Sequence, residues 1–226
     1  NMRLAFRVVV DSRDKRTEFT PQFVKDAGAK GFMNKGKWSP YSDDSVFQKY
    51  YTKFVKALAK DFNDPSKVEF IDGFGLGKWG EYHTMIYSTG DDTPKKAVFD
   101  WVTDIYSQVF DKVPVVINYH RWIGAGKDWV DDEHFAADSE EMLEEAIKKG
   151  YSLRHDAFGM TTYYGSWERR FAKKYRNICP IIMEGGWIVK SHSYWQDPRG
   201  YRKDSHEDVR RGEFDDSKEA HVNICL

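Results

Sequence analysis

Apolar positions along the chain fall into two alternating patterns. Residues 4–10 (LAFRVVV), 68–74 (VEFIDGF), 114–119 (PVVINY) and 180–183 (PIIM) are short, nearly continuous apolar runs, and 153–160 (LRHDAFGM) is a further strand candidate made polar by Arg154, His155 and Asp156. Such runs predict buried strands, and a sixth strand is expected from His221 (HVNICL). Between them the spacing changes to three and four. Val46, Phe47, Tyr50, Phe54, Val55 and Leu58 share one helical face after a capping stretch at 42–44, and Asn63-Asp64-Pro65 ends that helix. A second helix is expected with Thr93 as N-cap and Pro94 at its first position, its stripe formed by Val98, Trp101, Val102, Ile105, Tyr106 and Val109. A third opens at Ser139 and closes before Gly150, with acids first and lysines last, as the helix dipole prefers. Short helices near 167–175 and 205–218 complete the pattern. Residues 11–43 read as a long polar loop with room for a helical turn after Pro21, and 187–204 as a second long loop.

Strand, helix, strand, helix, with apolar strands, predicts an α/β fold with a parallel sheet covered by helices. An open doubly wound sheet and a (β/α)8 TIM barrel both fit that order. Residues 73–80 (GFGLGKWG) follow a strand and loosely resemble a phosphate loop. They lack the GxGxxG spacing and the GKS or GKT ending, which argues against a nucleotide site.

Composition narrows the partners. Of 226 residues, 31% are charged, yet the net charge is −1, so neither nucleic acid nor an anionic membrane is an expected partner. There is no run of 18 apolar residues to span a bilayer, and no signal peptide is recognisable. The two cysteines, Cys179 and Cys225, do not identify a redox compartment. Aromatic residues reach 16%, with 8 Trp, 13 Tyr and 15 Phe. They suit a core of large rings and also a cleft that stacks sugar faces. The chain enters a strand almost at its first residue and stops in another, which predicts a piece of a longer polypeptide.

In a barrel, chemistry sits at the C-terminal ends of the strands. The strand at 68–74 leads to Trp79, Glu81 and His83; that at 114–119 to Asn118, Tyr119, His120 and Arg121; that at 153–160 to Tyr163 and Tyr164; that at 180–183 to Glu184 and Trp187. A carboxylate at the mouth of a buried strand costs free energy unless it is paired or used. Glu184 alone fits a salt bridge, and Glu81 alone is one of 36 acidic residues. Together, among tryptophans, tyrosines and histidines, they suit glycosidic bond cleavage, in which one carboxyl protonates the leaving oxygen and the other attacks the anomeric carbon. His83, His120 and His155, with Asp156, also raise a metal-dependent hydrolase, although HxH and HExxH spacings are absent.

The segment VEFIDGFGLGKWGEYHT followed by IIMEGGW resembles the clan-A glycoside hydrolases, which are (β/α)8 barrels. It is most similar to family 42 type β-galactosidases and to a related bacterial group whose fourth strand ends in G-x-W-G-E-W-H-T; here the motif reads GKWGEYHT. The resemblance implies that Glu81 ends barrel strand four as acid/base and Glu184 ends strand seven as nucleophile. The chain would then cover strands three to eight of one catalytic barrel domain. Strands one and two would lie upstream, in additional segments of the same polypeptide. It implies a carbohydrate substrate, with Trp79, His83, Asn118, Tyr119, His120, Tyr163, Tyr164 and Trp187 as sugar contacts, and no cofactor or metal. A secreted or periplasmic location follows from that substrate class alone. One position departs: Gly80 stands where most of the clan has an asparagine that binds the 2-hydroxyl. His83, His120 or Asn118 could supply that hydrogen bond instead. A catalytically silent sugar-binding barrel is the alternative.

Overall fold

The computed structural model describes residues 2–13, 17–126, 133–160, 163–188, 190–193 and 197–225. They form two compact units, one of residues 1–117 and 122–151, the other of 118–121 and 152–226.

The first unit is built on three parallel strands, β1 (Leu4–Arg7), β4 (Val68–Asp72) and β5 (Val115–Asn118), the last ending where the chain passes into the second unit. β1 lies beside β4 with Arg7 opposite Asp72, and β4 lies beside β5 with Asp72 opposite Val116. Helices α2 (Ser45–Phe62), α3 (Lys95–Val109) and α4 (Glu133–Lys148) alternate with them. Asp44 caps α2 by accepting a 2.9 Å hydrogen bond from the Phe47 amide. Phe47 and Val55 of α2 and Val98, Val102, Ile105 and Tyr106 of α3 are buried as their spacing predicts, but the buried faces also take in Tyr51 and Phe99, and Phe54 is 46% exposed. The Tyr51 and Tyr106 hydroxyls meet at 3.0 Å, and the Tyr51 hydroxyl also contacts the Phe74 carbonyl at 3.0 Å.

Several boundaries differ from the sequence expectation. The strand at 4–10 stops at Arg7 and is largely exposed, with Leu4 at 55%. Among the described residues β1 pairs with β4 alone, so its apolar run marks an edge rather than a buried strand. The loop 11–43 contains the expected turn, α1 (Gln22–Asp26), and also an antiparallel hairpin, β2 (Gly31–Asn34) with β3 (Lys37–Pro40). Its two-residue turn puts both Lys35 (φ 50°) and Gly36 (φ 75°) in the left-handed region, the geometry of a type I′ hairpin. The flanking strands carry little alternation, so the Lys-Gly pair was the one local signal. Helix α3 begins one residue late, after Pro94. Helix α4 begins six residues before Ser139, whose buried hydroxyl accepts from the Ile123 amide at 3.0 Å instead of capping.

In the second unit β6 (Ser152–Phe158), β7 (Ile181–Gly185) and β8 (Ile224–Cys225) are parallel, with α5 (Ser166–Tyr175) and α6 (His206–Ala220) between them. The β6–β7 register shifts between His155 and Phe158. The last strand starts three residues after His221, because His221 takes a left-handed conformation (φ 54°) that closes α6. Asn223 then locks to Ile181, accepting from its amide through the side chain at 2.9 Å.

Candidate active site

The loop after β4 carries the first group of expected residues, and its backbone is strained. Trp79 (φ 56°), Tyr82 (φ 59°) and Thr84 (φ 49°) are all left-handed without being glycine. Each such residue costs on the order of 1–2 kcal/mol, so the surroundings must impose the shape. They do so through the Tyr82 hydroxyl on the Lys95 carbonyl (2.8 Å), the Gly124 amide on the Tyr82 carbonyl (2.8 Å) and the Tyr82 amide on the Leu76 carbonyl (2.9 Å). Tyr82 is 1% exposed and its ring meets Phe74 at 3.9 Å between centroids. The buried tyrosine thus anchors the loop next to Glu81.

Among the described residues Glu81 meets Arg7 and His83. One oxygen accepts from the Arg7 guanidinium at 2.8 Å; the other lies 3.4 Å from His83 Nε2. Arg7 also donates to Asp72 at 2.8 Å and to the Trp79 carbonyl at 3.0 Å. Burial works against the Arg7 charge, but Asp72 and Glu81 outweigh it and hold the guanidinium protonated above its ordinary range. His83 is buried, with Nδ1 2.9 Å from the Thr84 hydroxyl. Trp79 is 41% exposed, sits edge-on to the His83 ring and has the Lys78 ammonium over its face at 4.2 Å. The structure therefore brings Trp79, Glu81 and His83 together. It adds Arg7 and Asp72, which the strand reading passed over; a charge inside each apolar run (LAFRVVV, VEFID) was the available signal.

The second unit holds the other group. Glu184 stands near the end of β7, half exposed, with its carboxylate on the Arg154 guanidinium of β6. Beyond it, Trp187 is 49% exposed and its ring lies 5.4 Å from that of Tyr163 at 33°. The Lys203 ammonium approaches the Tyr163 ring at 5.6 Å. Burial brings the Lys203 ammonium down to about 8, and Asp197 opposes that. Tyr119 and Tyr164 lie deeper: both are buried, their hydroxyls meet at 2.9 Å, and the His155 ring is edge-on to each. Burial holds His155 below its usual range, and its Nδ1 accepts from the Ala157 amide at 3.0 Å, so the ring is neutral. Asn118 is buried, with its amide 3.4 Å from Asp156, and His120 is buried as well. Arg121 grips the fully buried Glu168 at 3.0 Å to each oxygen, which fixes the segment 118–121 onto α5.

Among the described residues no group of three or more His, Cys, Asp and Glu is arranged to hold a metal ion, so the metal-dependent reading gains no ligand set. No described helix is long and apolar enough to cross a membrane. Cys179 and Cys225 are free thiols.

No protein-family model matches the chain, and no curated protein does. Among solved structures it is similar to endo-glycoceramidase II from Rhodococcus sp. in its lactosyl-enzyme intermediate, at 13% identity and a TM-score of 0.45 over 98% of this chain and 54% of that one. The same enzyme with a cellobiose-like isofagomine matches at 13% identity and a TM-score of 0.34, over 82% and 52%. The chain spans about half the length of the solved structures it matches.

Proposed function

We propose that the chain is the strand-three-to-eight part of a (β/α)8 barrel and that this barrel is a retaining glycoside hydrolase acting on a β-linked glycoside. β1, β4, β5, β6, β7 and β8 would be strands three to eight in order. The observation that carries the reading is Glu81: a strained, buttressed loop presents its carboxylate beside a histidine and a half-exposed tryptophan. Strain of this kind collects at sites that work. The motif GKWGEYHT and the position of Glu184 at the end of β7 supply the second half.

In this mechanism Glu184 attacks the anomeric carbon while Glu81 gives its proton to the leaving oxygen, leaving a covalent glycosyl-enzyme. Glu81 then takes a proton from water, the water oxygen attacks the anomeric carbon, and Glu184 leaves. Trp79, and the Tyr163–Trp187 pair, would offer stacking faces. His83 or Asn118 would serve the 2-hydroxyl in place of the missing asparagine.

The test is mass spectrometry after incubation with activated 2-deoxy-2-fluoro-β-glycosides. The expected result is a covalent adduct on Glu184, and loss of turnover in Glu184→Gln. Glu81→Gln should lose about 10²–10⁴ of its rate, most with poor leaving groups. An adduct on any other residue overturns the assignment. Reversible sugar binding with no adduct would establish instead the silent binding barrel, the reading that Gly80 leaves open.

A further inference from the structure

Glu81 is asked to be an acid, yet it sits 2.8 Å from an arginine. An unshared guanidinium at that distance strongly favours the ionised carboxylate. The surroundings of Arg7 answer the difficulty. β1 and β4 are in register at Arg7 and Asp72, so the guanidinium meets Asp72 first, through Nε at 2.8 Å, and reaches Glu81 with Nη1. Asp72 is only 3% exposed, and its charge is felt by the buried hydroxyls of Tyr51, Tyr106 and Tyr151. One cation thus faces two carboxylates. The other Glu81 oxygen lies 3.4 Å from His83 Nε2.

Gly80 belongs to the same arrangement. Its φ is +77°, and a Cβ there would stand 2.8 Å from Arg7 Cδ and 3.3 Å from the Val8 carbonyl. The position that carries an amide side chain in the resembling family is filled here by the stem of Arg7.

Resting on the reading of Glu81 as acid/base, we propose that Arg7 and Asp72 are positioning residues that set its protonation. Asp72 shares the guanidinium, so Arg7 favours the ionised form of Glu81 less than an unshared arginine would. Lys78, the remaining charge on this loop, is turned over the Trp79 face.

The two neighbours should therefore act in opposite directions. The measurement is a 13C NMR titration of side-chain carboxyls in the full chain, with the Glu81 signal identified by its loss in Glu81→Gln. Asp72→Asn, which leaves Arg7 to Glu81 alone, should move the Glu81–His83 midpoint down. Arg7→Met should move it up. The acidic limb of kcat/KM on an unactivated glycoside should follow in the same directions. An unmoved midpoint, or a shift of the same sign in both variants, overturns the proposal. Should Arg7→Met fail to fold, Asp72→Asn decides alone: no shift, or an upward one, sinks it. The titration needs no substrate. A chain without hydrolytic activity but with opposite shifts would defeat the glycosidase reading and leave this one standing.

Discussion

Each of the two glutamates has an arginine partner, but the two pairs do different work. Arg7 and Glu81 are 16% and 12% exposed at the side chain, and Arg7 is shared with Asp72, itself 4% exposed. Arg154 is buried at 6%, but Glu184 is 48% exposed to solvent. A charge pair shut away from water must balance internally, while a half-solvated one is screened. In the first arrangement one guanidinium is divided between two carboxylates. The second leaves its carboxylate half exposed, as the role proposed for Glu184 requires.

The largest expected difference is in stability. Arg7→Met takes the guanidinium from two enclosed carboxylates and should cost about 3–5 kcal/mol. Arg154→Met leaves Glu184 to water and should cost no more than about 1 kcal/mol. Urea unfolding of the two variants measures both; equal losses would erase the distinction drawn here.

A smaller effect isolates the space around Arg7. Gly80→Ala and Gly90→Ala both force alanine to a φ near +78°, a strain of about 1–2 kcal/mol. Nothing lies within 4 Å of a Cβ at Gly90, whereas at Gly80 it meets Arg7. Gly80→Ala should therefore be the more destabilising of the two in thermal melts, and the excess should shrink in an Arg7→Ala background, leaving the backbone contacts to Gly75 and Val8.

The smallest effect is one of pH. In the first unit a buried cation is held charged by its partners; in the second, burial brings Lys203 down to about 8 from an ordinary 10.5. The unfolded chain then binds the extra proton between those values. Stability attributable to Lys203 rises from about pH 8 to 10.5 and is lost as pH falls through 8. Buried Tyr119 and Tyr164, raised by burial, push the other way above their ordinary value of 10. The readout is therefore the unfolding free energy of wild type minus that of Lys203→Met, which should rise with pH from about 8 to 10.

The parts that were legible follow from local chemistry. The cap at Asp44 and the buried Phe47 and Val55 of α2 lie where the spacing predicts, while packing turned Tyr51 inward and left Phe54 exposed. The hairpin β2–β3 was missed because its strands lack alternation and only Lys35-Gly36 marks the turn. Tyr119 and Tyr164 illustrate the limit on side chains: both follow strand ends, yet each spends its hydroxyl on the other in a buried ring cluster.

The sequence by itself determined the order of strands and helices and the places of Glu81 and Glu184 just past apolar runs. Period and composition are properties of neighbouring residues, and they need no knowledge of the fold. Only the tertiary structure decided what surrounds Glu81. Arg7 lies 65 residues from Asp72 and 74 from Glu81 along the chain. Parallel register between β1 and β4 brings the first pair together, and a loop bent through left-handed residues brings the second. Strand register and loop strain are settled by packing across the sheet, so no local pattern in the chain records that one arginine serves two carboxylates.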